Sequence, residues 1–303
     1  MFKNYKGPFL PLTETEIEIR AEIKAHVAFL SETLGQRNIW DCEKLHTAAH
    51  YIATCLNELE LNVSEQEYKL KKAIEKNIIG EKLGTQNPDK ILIIGAHYDT
   101  VRGSPGADDN ASGIAGMLAI ARLLKNTKTL STIRYVAFVN EEPPFFFSKK
   151  MGSWQYANLC RLQKDNIFAM LSIESIGYYS DEKRSQKYPF PLGFFYPSKG
   201  NFIGFVGNLK SRKLVEKSVG YFRKHTEFPS EYLSAPWWFP GIAWSDQWSF
   251  WQHGYPAIMV TGTAPYRNPN YHTKNDTFST LDYDRMARVV GGLSQVVLEL
   301  ANE

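Results

Sequence analysis

The sequence predicts an α/β fold, a three-layer αβα sandwich around a mostly parallel mixed central sheet, and three observations predict it. Apolar runs of strand length alternate with helical patterns over most of the chain. The strongest run, in KILIIGAHYDT, is continuously apolar, as in a strand buried on both faces. Several runs end in His, Asp or Glu, where strands of an open sheet emerge and where ligands collect. At 303 residues the chain is near the upper size of a single core, so one domain over 1–303 is expected. Within it we expect N-terminal helices over about 13–60, a core over about 61–303, and a polar, Pro-rich insertion at 180–200.

Element by element, Thr13 with Glu16 three residues later forms a capping box, and Ile17, Ile19, Ile23 and Val27 make the helix that follows amphipathic. A second helical pattern runs from Cys42 to Leu59. Strand-like pieces at Val63–Leu70 and Asn77–Leu83 lead to a turn predicted at Asn87-Pro88-Asp89. After KILIIGAHYDT come a helix from Ser112 to Leu124, a strand at Ile133–Asn140, a helix from Gly152 to Leu162 and a strand at Ile167–Ile173. Past the insertion, a strand at Phe202–Val206, a helix at Ser211–His225, a strand at Ala257–Thr261 and a helix at Tyr283–Leu300 complete the pattern.

Composition narrows the function classes. Hydrophobic residues at 43% and charged residues at 22% exclude a disordered chain. A net charge of +3, with the densest basic stretch (Lys69 to Lys76) broken by Leu70, Ala73, Ile74 and Glu75, argues against a nucleic-acid partner. No run approaches the roughly 20 apolar residues of a membrane span. Three cysteines, Cys42, Cys55 and Cys160, are an odd number with no metal-cluster spacing, and the N-terminal stretch lacks a signal-peptide core. These features predict reduced thiols in a soluble, cytoplasmic protein.

The strand ends supply the chemistry: His97 and Asp99, Asp108 and Asp109 in a Gly-rich loop, Glu141 and Glu142, then Glu174. Carboxylates gathered at neighbouring strand ends repel one another unless a cation sits among them. Histidine with carboxylates suits Zn²⁺ in a catalytic site with an open position. Asp99, two residues after His97, is placed to partner the other ring nitrogen of that imidazole. Glu141 and Glu142, if extended, point apart, and Pro143-Pro144 predict the turn that lets both face the site.

In order, GAHYDT, GADDNASG, NEEPPF followed by GS, SIES and YHTKNDT resemble the motifs of the co-catalytic zinc aminopeptidases, metallopeptidase family twenty-eight, whose relatives include glutamate carboxypeptidases and glutaminyl cyclases. The resemblance spans Asn77 to Thr277. It implies two Zn²⁺ per chain, one held by His97, Asp109 and Glu174, the other by Asp109, Glu142 and His272, with Asp109 bridging. Two divalent ions, three carboxylates and a bridging hydroxide sum to no net charge, which suits a buried cleft. The resemblance also implies Glu141 as general base toward a metal-activated water, Tyr271 as a group that helps hold the developing oxyanion, and a cis peptide at Asp109-Asn110. Two departures stand out: Glu174 where several members carry Asp, and Ser245-Asp246-Gln247 where Ser-Asp-His is frequent. The expected activity is therefore a zinc aminopeptidase acting on peptides. A single-zinc glutaminyl cyclase and a non-catalytic binding module are the alternatives.

Other residues invite weaker readings. Cys42, His46 and His50 share a helical spacing, but Thr47 stands where a zincin has its glutamate. His26, His225 and His253 stand alone, and Ser112 lacks a nucleophile elbow and reads as a helix cap. Five of the seven tryptophans lie between Trp237 and Trp251, and Trp237, Trp238, Trp244 and Trp248 are the candidates to line an aromatic substrate pocket. The aromatic-rich insertion at 180–200 reads as a rim, a lid or a dimer contact; the sequence leaves the oligomeric state open.

Overall fold

The structure, a computed structural model, describes residues 3–70 and 73–303. Lys71 and Lys72 of the basic stretch therefore lie outside the described residues. Eight strands form one sheet in the order β1-β2-β4-β3-β5-β8-β6-β7. They are β1 (Asn62–Leu70), β2 (Ala73–Lys82), β3 (Asn87–His97), β4 (Ser131–Phe138), β5 (Asn166–Glu174), β6 (Ile203–Asn208), β7 (Ser230–Ala235) and β8 (Ala257–Thr261). The central strands β4, β3, β5 and β8 are parallel; β2 joins β4 and β6 joins β8 antiparallel, and β7 runs parallel to β6.

The continuous apolar run of β3 splits by alternation between the two faces of the sheet. Leu92, Ile94 and Ala96 belong to the larger core, under helices α1 (Glu14–Ala28), α2 (Cys42–Glu58), α3 (Gly113–Leu124), α5 (Arg212–His225) and α8 (Tyr283–Ala301). Ile91 and Ile93 belong to a second core beneath α4 (Gly152–Gln163) and α6 (Gln247–Gln252). A short helix α7 (Ala264–Arg267) lies between β8 and α8. Among the described residues no helix is long and apolar enough to cross a membrane.

Helix α1 carries the capping box read from the sequence, with Thr13 and Glu16 bonded reciprocally at 2.8 and 3.2 Å. Its buried stripe is Ile19, Ile23 and Val27, while Ile17 is exposed. The turn predicted at Asn87-Pro88-Asp89 is instead the start of β3, where the register with β4 shifts between Asn87 and Ile91 and Pro is tolerated because the ladder is already interrupted. Strand β7 escapes the sequence pattern because SEYLSA is an edge strand with its middle only half-buried. Ser112 does not cap α3: its hydroxyl donates to the Asp108 carbonyl at 2.6 Å, and the Gly113 N–H is taken by the Asn110 side chain at 3.0 Å.

One buried side chain ties the N-terminal segment to the strand ends. Arg37 is fully buried, and its guanidinium donates to the carbonyls of Tyr98, Leu30, Gly35, Pro105 and Gly106 at 2.7 to 3.0 Å. The Arg37 N–H and carbonyl pair with Thr100 at 3.1 and 3.0 Å. Burial pulls the pKa of this cation down to about 10, against the pull of Asp276, Asp99 and Asp109. Bonds from the guanidinium to carbonyls offset part of the cost of burying its charge, whereas its removal strands several buried acceptors. Arg37→Met should therefore lower unfolding free energy by about 3 kcal/mol or more, measured by urea unfolding of the apo-protein; a change below about 1 kcal/mol would show that the clamp is dispensable.

Candidate metal centre

Four loops at the carboxyl ends of the central strands converge. His97 ends β3, Asp109 lies in the loop after it, Glu141 and Glu142 follow β4, and Glu174 ends β5. His272 comes from the loop between α7 and α8. His97 Nε2 lies 3.2 Å from Asp109 Oδ1 and 3.3 Å from Glu174 Oε2. His272 Nε2 lies 3.0 Å from Asp109 Oδ2 and 3.2 Å from Glu142 Oε1. These are the two groups of potential metal ligands found among the described residues, and Asp109 gives one oxygen to each. The five positions read from the sequence as ligands are thus brought together as two triads.

Each ligand is held from behind. His97 Nδ1 faces the Asp99 carbonyl oxygen at 3.2 Å, with the Asp99 carboxylate farther off at 3.6 Å. The carboxylate that the sequence assigned to this imidazole chiefly accepts the N–H groups of Glu141 and Glu142, at 3.0 and 3.1 Å. Asp99 so orients both halves of the site. The turn predicted at Pro143-Pro144 follows the pair, the Phe145 N–H donating to the Glu142 carbonyl at 2.9 Å, and Asn140 before the pair adopts a left-handed φ of 60°. Its amide donates to the Tyr68 hydroxyl at 3.1 Å, fastening this position to β1. Asp276 accepts the N–H groups of Asp108 and Asp109 at 2.8 and 3.1 Å, and Asn110 bonds to the end of β5 through the Ile173 carbonyl and the Ser175 N–H. The Asp109-Asn110 peptide is cis.

Sequence reasoning missed several of these supports. Ser245 donates to Glu174 Oε2 at 2.6 Å and Ser175 to Oε1 at 2.8 Å, so both oxygens of the longer Glu174 are pinned. Ser245 sits in the Ser-Asp-Gln motif already noted, but a hydroxyl that steers a distant carboxylate has no spacing signature. Asp246 beside it is fully buried, with neither oxygen hydrogen-bonded, and burial among neighbouring acids raises its pKa to about 7. The remaining lone histidines are accounted for elsewhere: His26 on Tyr51, His225 on Glu299, His253 on the Ser249 carbonyl. His46 lies 3.8 Å from Glu75, and no metal-sized group joins it with Cys42 and His50 among the described residues.

The donor set fits a divalent cation. His272 Nε2 and Glu142 Oε1 are buried without a hydrogen-bond partner although they face each other. The separations of 3.0 to 3.3 Å match the tetrahedron edge of about 3.3–3.4 Å for zinc bonds of about 2.0–2.1 Å. Three protein ligands per triad leave a position open for substrate. Without a cation the cluster must hold protons. Burial disfavours a charged His272, but contact with Asp109 and Glu142 outweighs it and lifts its pKa to about 10. Burial and the nearby Asp109 push Glu142 up to about 7, and burial, partly offset by His97, holds Glu141 well above the carboxylate range. Asp109 is the exception: burial would raise it, but contacts with His272 and His97 keep it ionised.

Beside Glu174 and Tyr271 opens a mainly apolar cleft. The Tyr271 ring stacks on that of His272, 3.8 Å between centroids. Of the four tryptophans expected in a pocket, Trp244 lines this cleft. Trp237 and Trp238 are 56% and 69% exposed on its outer side and Trp248 packs on Phe147, so these three differ from the expectation. Sheet and loop packing, not local aromatic density, decides which rings face inward. Tyr188 and Tyr196 of the insertion also line the cleft, while Phe190, Phe194 and Phe195 face outward.

An αβα sandwich with a His and carboxylate centre at its strand ends is the architecture of the zinc-dependent peptidases, hydrolases acting on peptides. The chain belongs to peptidase family M28, whose profile matches residues 77–297. It is 36% identical over 281 residues to the uncharacterized protein YfbL of Escherichia coli (strain K12), covering 90% of this chain and 85% of that one. A shorter stretch of 68 residues is 48% identical to aminopeptidase YwaD of Bacillus subtilis, 22% of this chain and 15% of that one. In fold, the chain is similar to BSAP, a zinc aminopeptidase from Bacillus subtilis, with a TM-score of 0.76 at 17% identity over 94% and 95% of the two chains. It is also similar to a glutaminyl cyclase of Bacteroides thetaiotaomicron, with a TM-score of 0.66 at 17% identity over 99% of each.

Because a zinc ligand must be deprotonated, the protons held by His272 and Glu142 must leave when metal binds. Their raised pKa values place this exchange across neutrality, so zinc affinity should rise with pH between 6 and 8. Calorimetry in buffers of different ionisation enthalpy should show net proton release at pH 7; zero release would mean that the triads are not the binding site.

Proposed function

We propose that the protein is a zinc-dependent aminopeptidase that removes the N-terminal residue of peptides, with two zinc ions per chain. The observation that carries this reading is Asp109, which offers one carboxylate oxygen to each of two triads beside the buried Glu141. His97, Asp109 and Glu174 would hold one ion, and Asp109, Glu142 and His272 the other. Bound zinc supplies Lewis acidity, polarising the scissile carbonyl and acidifying a water in the cleft.

The chain's own residues do the rest. Glu141, whose burial already favours its protonated form, takes a proton from the attacking water on its carboxylate and returns it to the leaving amine. Asp99 holds the Glu141 and Glu142 N–H groups, so base and ligand keep a fixed relation. Tyr271, which lines the cleft and stacks on His272, would donate its hydroxyl to the oxygen on which charge develops. The apolar walls exclude water from the reacting bond.

Prolonged chelation should abolish hydrolysis of aminoacyl 4-nitroanilides, and zinc should restore it; full activity in the metal-free protein rejects the proposal. Glu141→Gln should retain its metal content by elemental analysis while kcat drops about 10²–10⁴-fold. Stoichiometry separates the glutaminyl cyclase reading: two zinc ions per chain support the peptidase, one supports the cyclase.

A further inference from the structure

The floor of the cleft is a row of register partners crossing four strands. Glu174 on β5 pairs with Thr261 on β8, Thr261 with Gly204 on β6, and Gly204 with Glu231 on β7. Partners in register share a face of the sheet, and all four residues line the cleft. Three strand spacings separate Glu174 from Glu231, about 14–15 Å between backbones. Gly204 places no side chain in the row, so the floor stays open between the metal ligand and the second acid.

Charge and shape point the same way. Among the described residues that line the cleft, Glu174 and Glu231 carry the only formal charges; no Lys or Arg lines it. Glu231 is half-buried, and its Oε1 accepts the Asn4 amide at 3.0 Å, which orients the carboxylate. No ion pair to Glu231 is found among the described residues; Arg223 and Lys6 act on it from farther away, and burial still raises its pKa. The lining is aromatic, with the ring pairs Tyr188–Tyr196 and Trp244–Tyr266 among it. Such a lining favours an apolar stem and attracts a cation.

Resting on the exopeptidase reading above, we infer that this cleft selects peptides whose N-terminal residue is arginine or lysine, with Glu231 as the residue that pairs with the cationic head. The side chain enters beside Glu174 and Tyr271, lays its methylenes along Thr261, Val206 and Met259, and ends at Glu231. A leucine side chain fills only the near part and leaves the half-buried carboxylate without a close cationic partner, and an acidic side chain is repelled. A tyrosine, whose hydroxyl can donate to Glu231, is the neutral competitor.

The test compares kcat/KM for the 4-nitroanilides of Arg, Lys, Leu, Tyr and Glu in the zinc-loaded wild type, Glu231→Gln and Glu231→Lys. Arg and Lys should exceed Leu and Tyr at least tenfold in the wild type. Removing one partner of such a half-buried charge pair should lower the Arg-to-Leu ratio in Glu231→Gln by about tenfold or more, and Glu231→Lys should raise the Glu substrate relative to Arg. Preference for Leu or Tyr, or an unaltered ratio in Glu231→Gln, overturns the inference. Binding of L-argininamide against L-norleucinamide, read by calorimetry, needs no turnover: tighter argininamide that weakens in Glu231→Gln supports the cationic subsite, and equal binding overturns it. A protein that cleaves no nitroanilide but shows this calorimetric difference refutes the peptidase reading and keeps the subsite.

Discussion

Everything at the carboxyl edge of the sheet answers to one constraint: acids crowded into a space from which water is largely removed. Asp99, Asp109, Glu141, Glu142, Glu174 and Asp246 are all buried, and two imidazoles interleave the ligand carboxylates. In low dielectric such a group stands as separate anions only with compensating positive charge, and otherwise takes up protons. The raised pKa values of Glu141, Glu142 and Asp246 show the second outcome in the protein without metal. A divalent ion exchanges those protons for a charge of the right size and fixed geometry. The network of backbone N–H donors, serine hydroxyls and Asp276 keeps the cluster from relaxing apart in the meantime.

Strand ends and ligand types were legible because both follow from local chemistry. A continuous apolar run must be buried on two faces, so His97 at its end had to emerge at the carboxyl edge, and the acids after β4 and β5 emerge beside it. What the sequence could not show is which groups act through backbone. Arg37 contacts five carbonyls, which have no residue identity to recognise, and Asp276 accepts two N–H groups in the same anonymous way. Asp99 was placed correctly behind the site, yet its carboxylate serves the Glu141-Glu142 turn more closely than the imidazole. The cleft was harder still. Trp244 turns inward and Trp237 and Trp238 outward within one short segment, and Glu231 reaches the site only because two edge strands extend the sheet beyond β8.

The division of labour across the sheet follows from that extension. Parallel central strands deliver the ligands from their ends, where loops are free to converge. Strands β6 and β7, joined antiparallel to β8, offer instead a strand surface that lines the cleft together with residues of the insertion and of the segment around Trp244. Reactive groups thus come from loops held by many hydrogen bonds, and the neighbouring cleft from regular backbone, whose side chains are set by register. Changes along β7 can alter what enters the cleft without disturbing the centre itself.

The Arg37 clamp bears on where this protein can be cut. The family profile matches from residue 77 onward, yet the donors that hold the Tyr98, Pro105 and Gly106 carbonyls come from residue 37, and α1 and α2 cover part of the larger core. A fragment trimmed to the matched region would expose those apolar faces and unfasten the loop that carries Asp109. The span that the profile matches and the unit that folds are therefore not the same length in this chain.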